Sequence, residues 1–339
     1  MPNLTHPSTQ TQNNADTLPL GRLVGTREHA DSWIKIKYYI QTLLKPGWRI
    51  FSKLLSGQFK SKLRIYRITK RWPNLDHPQT YNDKLLLYMS SNFMESCSAY
   101  VDKIAVRDYV KSRVGSHVLS TIFGVYDSYD GIDFAILPEK FYLKTNHGSG
   151  WNLPCLDKKK FILNARANKK TITKWLQKNY FHCAGERQYK KIQPKLYTEE
   201  YLDAKLPKNM LLRIFTFHGK AEFIQVTGKI GEDTIVNNFY DCHWAFLPFT
   251  IGRRHNAYEL KQPGKLEQMI QVAELLAKPF PFVRVDLYDL EGRIVFSELT
   301  FSPSAAGYAV SPEEWSYKVG KMFPASFENY KKVECLAPR

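Results

Sequence analysis

Four runs in the second half of the chain read as β-strands: Leu211–Phe217, Ala221–Thr227, Phe282–Tyr288 and Ile294–Thr300. His218-Gly219 and Glu291-Gly292 supply a turn inside each pair, which predicts two antiparallel hairpins. A helix is expected at 265–278 between them. The first half is mixed, with helices expected at 82–90, 100–113 and 168–180 and a strand at Leu119–Val125. A lysine-rich loop is expected ahead of the third helix. No internal repeat or coiled-coil heptad is present. Helices mixed with prominent hairpins define an α+β fold.

A chain of 339 residues with 43% hydrophobic and 14% aromatic content can bury a sizeable core, which excludes a mainly disordered protein. No apolar run approaches the ~18 residues of a membrane span. The start, MPNLTHPSTQTQNNAD, lacks a charged region followed by an apolar one, which argues against secretion. Five cysteines (Cys97, Cys155, Cys183, Cys242, Cys335) are scattered without C-x-x-C pairs, which argues against a disulfide framework or a zinc site and fits a reducing cytoplasm. The nine histidines show no H-E-x-x-H spacing, and no G-x-S-x-G elbow is present.

The net charge of +17 implies an acidic partner, such as nucleic acid, a phosphate-bearing ligand, an anionic membrane or an acidic polymer, and it is unevenly distributed. Residues 1–31 are polar and read as a mobile tail. Ser32 to Leu75 contains eleven Lys and Arg residues and no acidic one, interleaved with Trp33, Tyr39, Trp48 and Phe51. Apolar spacing of three or four there predicts two short amphipathic helices broken at Pro46-Gly47. Such a segment suits an anionic membrane surface, an acidic polymer or nucleic acid, or packs on the main domain with a solvated basic face.

Four features bear on phosphate chemistry. A strand ending in Lys144 runs into the small-residue loop Thr145-Asn146-His147-Gly148-Ser149-Gly150, where backbone N–H groups can approach phosphate. Its spacing is neither that of a P-loop nor G-x-G-x-x-G. In the last hairpin, Arg284 and Asp286 share one strand face, as do Glu298 and Thr300, so the two carboxylates can stand opposite each other. That pairing suits Mg²⁺ or, alternatively, a charged pair facing solvent. Leu196–Leu202 starts as a strand and carries the acidic pair Glu199-Glu200. Asp102-Lys103 precedes Arg107 on one helical face, as a phosphate contact or a surface salt bridge.

In order along the chain, His77–Leu85, Val101–Val110, Leu143–Gly150, Glu199-Glu200-Tyr201, Phe217–Lys220, Phe282–Tyr288 and Glu298–Phe301 resemble the motifs of the TupA-like ATP-grasp family, associated with teichuronopeptide and surface-polysaccharide biosynthesis. The resemblance spans about residues 75–322. It implies an ATP-grasp fold, with a pre-ATP lobe at 76–137, a first lobe at 138–200, a second lobe carrying the metal site at 201–325, and a tail at 326–339. It also implies ATP and Mg²⁺ as cofactors. Lys103 and Lys144 would bind phosphates beneath the loop His147, Gly148, Ser149 and Gly150. Glu199, Glu200 and the backbone near Tyr201 would hold adenosine. Asp286 and Glu298, with Thr300 where relatives often carry Asn, would hold the metal. Arg284, Lys144 and Arg213 would act in catalysis. Arg213 keeps the cation of a triplet that here reads Leu211-Leu212-Arg213.

The function so implied is an ATP-dependent carboxylate–amine ligase working through an acyl-phosphate on a uronic acid or amino acid. Residues 32–75 would then meet an acidic saccharide or the inner face of the membrane, and the charge no longer favours nucleic acid. A kinase or glycosyltransferase-associated protein of the same fold, and a basic polyanion-binding module without catalysis, are the alternatives.

Overall fold

The computed structural model describes residues 57–202, 211–230, 234–252, 260–290, 293–327 and 330. The tail at 1–31, the break at Pro46-Gly47 and residues 32–56 of the basic segment lie outside them. The segment's described end forms α1 (Gly57–Thr69). Arg71 after it is turned inward, its guanidinium 2.8 Å from the fully buried Asp83 carboxylate. Asp83 also closes a reciprocal cap with Thr80 at the start of α2 (Tyr81–Ser90).

Two single turns, α3 (Phe93–Ser96) and α4 (Ser98–Val101), lead to α5 (Val106–Val114). The helix expected over 100–113 is therefore broken. Asp102 Oδ1 accepts the N–H groups of Ile104 (2.9 Å) and Ala105 (3.2 Å), a local side-chain bond that competes with the helical ladder. The break leaves Lys103 on a turn.

Strands β1 (Ile122–Tyr126), β2 (Phe141–Thr145) and β3 (Asn152–Cys155) follow. The lysine-rich segment expected as a loop is helical, as α6 (Lys158–Leu163), because the Asp157 side chain caps it by accepting the Lys160 N–H. Helix α7 (Ala165–Leu176), the short α8 (Phe181–Ala184) and β4 (Leu196–Glu200) complete a four-stranded sheet of order β1-β4-β2-β3. Its small core contains Phe141, Leu143, Phe161, Ile172 and Leu196.

The expected hairpins form with their predicted partners. β5 (Leu211–Phe217) pairs with β6 (Lys220–Ile230), and β7 (Thr234–Tyr240), not foreseen, extends that sheet. After β8 (Thr250–Ile251) and α9 (Leu266–Ala277), β9 (Phe282–Leu290) pairs with β10 (Arg293–Thr300). The five-stranded order is β10-β9-β5-β6-β7, antiparallel throughout, with β9 next to β5. β11 (Val310–Ser311) pairs with β8, and α10 (Glu313–Met322) follows.

The larger core joins this sheet to the early helices. Tyr88 Oη donates to Phe282 O (3.0 Å) and Tyr109 Oη to Leu276 O (2.7 Å). Residues 76–137, expected as one helical lobe, are divided between two cores: α2 to α5 bury their apolar faces under the five-stranded sheet, while Tyr129, Ile132 and Leu137 pack with the four-stranded one. No helix among the described residues is long and apolar enough to cross a membrane.

The α10–α2 contact depends on a glycine. A Cβ at Gly320 would overlap the Gln79 carbonyl oxygen, and backbone cannot swing aside. Alanine would gain about 1 kcal/mol in helix propensity but lose up to about 3 kcal/mol to overpacking, so overlap wins. Gly320→Ala is expected to lower the urea midpoint with an unchanged slope.

Candidate active site

The two sheets present polar faces to a cavity of about 260 Å³, and a second of about 730 Å³ lies against the five-stranded sheet, with Ser149, Arg213, Arg284 and Glu298 lining both.

The smaller cavity is built from the phosphate features. Tyr142 and Lys144 lie on the cleft face of β2, and Phe141 and Leu143 on the core face, as period two requires. Lys144 Nζ meets Glu199 Oε2 at 2.5 Å and stands over the Tyr142 ring at 4.7 Å. Lys103 Nζ donates to Gly148 O, and the Asp102 carboxylate accepts from Asn146 (2.9 Å), so the turn before α5 grips the loop after β2. Asn146 also donates to Gln193 O (3.0 Å) and accepts from the Lys195 N–H (2.8 Å). Burial lowers the Lys103 pKa, and nearby Lys144 lowers it further. Gly148, Ser149 and Gly150 line the cavity, and a Cβ at Gly148 would overlap the Trp151 ring.

Three expected contacts fall elsewhere. His147 is buried, its Nε2 facing the Trp175 and Lys178 carbonyls (3.2 and 3.1 Å), so it anchors the loop to the end of α7 rather than lining the cavity. Burial keeps its pKa low. Glu200 has the opposite parity on β4 from Glu199. It accepts the Thr121 N–H (2.9 Å) and meets Arg293 (3.3 Å). Tyr201 stacks on Tyr142 with ring centroids 5.1 Å apart, beside Glu200 and outside the cavity. Of the adjacent pair, the carboxylate facing the smaller cavity is Glu199, whose Oε1 accepts from Ser120, itself within reach of Arg107.

On the opposite wall the carboxylate pair depends on a bulge. Register runs Arg293↔Leu290 to Phe296↔Leu287, then shifts by one residue to Glu298↔Asp286 and Thr300↔Arg284. Without that extra residue Ser297 would face Asp286 and Glu298 would turn away. Arg213 on β5 is the other cross-strand partner of Asp286. Arg284 chelates Asp286, Nε to Oδ1 and Nη2 to Oδ2 both at 2.7 Å, and lies 3.5 Å from Glu298 Oε1. Arg213 Nε is 3.5 Å from Asp286 Oδ2. Burial and neighbouring Glu298 push the Asp286 pKa up against the pull of Arg284. Burial also acts to raise Glu298, but Lys103, Arg284, Thr300 and Arg213 outweigh it and hold its carboxyl low.

Mg²⁺ fits this donor set. Two carboxylates face each other on adjacent strands, and a carboxylate oxygen that accepts one hydrogen bond keeps further lone pairs. Among the described residues no group of three or more His, Cys, Asp or Glu forms a metal cage. Mg²⁺ is ordinarily bound by one or two carboxylates, with the remaining positions filled by phosphate and water. The expected third ligand, Thr300, is otherwise engaged: its hydroxyl donates to Glu298 Oε1 (2.9 Å) and accepts from Arg284 (3.2 Å), which makes it a positioner of Glu298.

Leu202, Leu211, Tyr288 and Phe296 add an apolar wall to the smaller cavity that sequence reasoning missed. Leu211 and Tyr288 each lie two residues from a recognised site residue on the same strand face, so alternation from Arg213 and Asp286 could have found them. Arg64, Glu186 and Tyr308 line the larger cavity from distant segments and carry no local signal, while Tyr81, also on its wall, lies in the His77–Leu85 motif without an assigned role.

A cation-lined cleft between two antiparallel α+β sheets, with a loop closing from one side and a carboxylate pair facing it from the other, is the architecture of an ATP-grasp protein. The family model TupA-like ATPgrasp matches residues 83–324, and the chain belongs to that family. Among solved structures, it is similar to D-alanine–D-alanine ligase from Bacillus anthracis complexed with ATP (14% identity, TM-score 0.39), over 61% of this chain and 57% of that one. It is also similar to the L-amino acid ligase from Bacillus licheniformis (12% identity, TM-score 0.38), over 61% of this chain and 44% of that one. This chain therefore spans about half the length of those two proteins. No curated protein matches it.

Proposed function

We propose that the chain is an ATP- and Mg²⁺-dependent carboxylate–amine ligase acting on a uronic acid or amino acid component of a cell-surface polysaccharide. The observation that carries this reading is the shared wall. Arg213, Arg284 and Glu298 stand between the phosphate-binding cavity and a second, larger one, where a co-substrate carboxylate can meet the γ-phosphoryl group. In this reading Lys103 and Lys144 hold the phosphates and Leu202, Leu211, Tyr288 and Phe296 enclose the base. Arg284 and Arg213 neutralise charge as a carboxylate oxygen bonds to phosphorus and ADP leaves. The amine nitrogen then bonds to the acyl carbon and phosphate departs. Asp286 and Glu298 would hold Mg²⁺, which when bound screens the phosphates and keeps them in line. No protein nucleophile is needed.

The acidic partner proposed for residues 32–75 is the polymer itself or an anionic membrane. Its described end shows exposed Phe59, Tyr66 and Trp72 beside Lys60, Arg67 and Lys70. The test of the activity is ADP release from Mg-ATP across pairs of uronic acids, amino acids and amines. Release that requires both an acid and an amine supports the ligase. Release with a stable phosphorylated product and no amine requirement selects a kinase instead.

A further inference from the structure

The larger cavity is lined by groups of both charges. Arg213 and Arg284 lie on its wall with Tyr81, whose buried hydroxyl has no hydrogen-bond partner. Glu186 lies there too, buried, its carboxylate accepting from the Ser302 hydroxyl, with both residues on the cavity wall. Gln188 lies behind them. Its amide donates to Ser302 Oγ (2.7 Å) and weakly to Glu186 (3.4 Å), while its carbonyl oxygen, also buried, has no donor at all. Gln188 itself does not line the cavity, so the group presented to an occupant is the Glu186 carboxylate, an acceptor with lone pairs beyond those its two hydrogen bonds use. Glu186 lies between the phosphate loop and β4, in none of the motifs singled out in the sequence.

We infer that the Glu186–Ser302 wall is the subsite for the amino group of the second substrate, and that Glu186 accepts its proton as the amide bond forms. An amine brings N–H donors to a carboxylate that faces the cavity. The nitrogen bonds to the acyl carbon, the acyl–oxygen bond to phosphate breaks, phosphate leaves, and the displaced N–H proton passes to the Glu186 carboxylate. Burial raises the Glu186 pKa to about 7, with Ser302 opposing and Glu298 adding to the rise. Arg64 and Lys103 also face it and lower it, and Tyr180 and Tyr189 stand nearby. A carboxylate poised there is matched to taking a proton at neutral pH.

This inference rests on the ligase reading, and the test separates the two. Wild type and Glu186→Gln are given Mg-ATP and a panel of uronic and amino acids, first with hydroxylamine and then with amino acid amines. Hydroxylamine is unprotonated at neutral pH and needs no base. The expected result is hydroxamate formation reduced far less than amide formation in Glu186→Gln, with amide formation lower by ~10²–10⁴-fold and the wild-type rise in rate around neutral pH abolished. Equal loss with both nucleophiles marks a structural role and overturns the inference, as does loss with neither. Hydroxamate absent from wild type overturns the ligase reading and the inference with it. A second readout needs no substrate. A carboxyl whose pKa is raised on folding holds its proton more tightly in the native state, so its contribution to stability falls as pH rises from its unfolded value through about 7. Wild type should lose stability relative to Glu186→Gln across that window. Parallel curves would overturn the assignment.

Discussion

Glu298→Gln is expected to abolish ATP turnover and leave the fold intact, whereas Asp286→Asn is expected to damage both. The two carboxylates are cross-strand partners, but their surroundings differ. Asp286 is 3% exposed and chelated by the partly buried Arg284. Replacing it removes the chelating partner of a guanidinium that is only 12% exposed, a change worth up to about 3–5 kcal/mol. For a unit of this size that is a drop on the order of 10 °C in melting temperature. The Glu298 side chain is 37% exposed and keeps a hydrogen-bonding surrogate in Gln, so its melting point should hardly move. Its charge is nevertheless the one facing both cavities. Removing it should reduce kcat by at least the ~10²–10³-fold typical of a lost electrostatic contact to the transition state. Thermal melts run beside ADP-release rates check the contrast. A Glu298→Gln protein that turns over normally would displace the site from the β9–β10 hairpin.

The second large effect belongs to Lys144. Its side chain is 26% exposed and its partner Glu199 keeps a hydrogen bond from Ser120, so Lys144→Met should fold normally. ATP then loses a point charge held rigidly on β2. We expect kcat/KM for ATP to fall ~10²–10³-fold, with weaker ATP binding by calorimetry. Lys103→Met should do the same and also loosen the loop, because Lys103 ties down the Gly148 carbonyl. Unchanged ATP affinity in both variants would mean that the smaller cavity does not hold phosphate.

How far the sequence could carry these conclusions depended on whether the signal was local. Alternation exposed β5, β6, β9 and β10, and with them Arg284, Asp286 and Glu298, because each strand has a core face and a cleft face; Arg213 came from the family resemblance. The confrontation of Asp286 with Glu298 was only a possibility until the register was known. Counting back from the turn pairs Asp286 with Ser297, and one bulged residue corrects it. Adjacent Glu199 and Glu200 could not both face the cleft, and parity alone does not choose. The pairing of Lys144 with Glu199 does. His147 looked like part of a phosphate loop, and its anchoring to two carbonyls at the end of α7 is a tertiary contact with no local trace. The larger cavity was illegible for the same reason, being assembled from α1, α2, the segment before β4, and the turn after β10.

The central claim is that a carboxylate in the larger cavity takes the γ-phosphoryl group across the Arg213–Arg284–Glu298 wall. Turnover with a carboxylate labelled with oxygen-18 tests it directly. The account predicts that released phosphate carries one labelled oxygen per amide formed, because that oxygen leaves with phosphorus when the amine displaces it. ATP cleavage and product formation with unlabelled phosphate would contradict it.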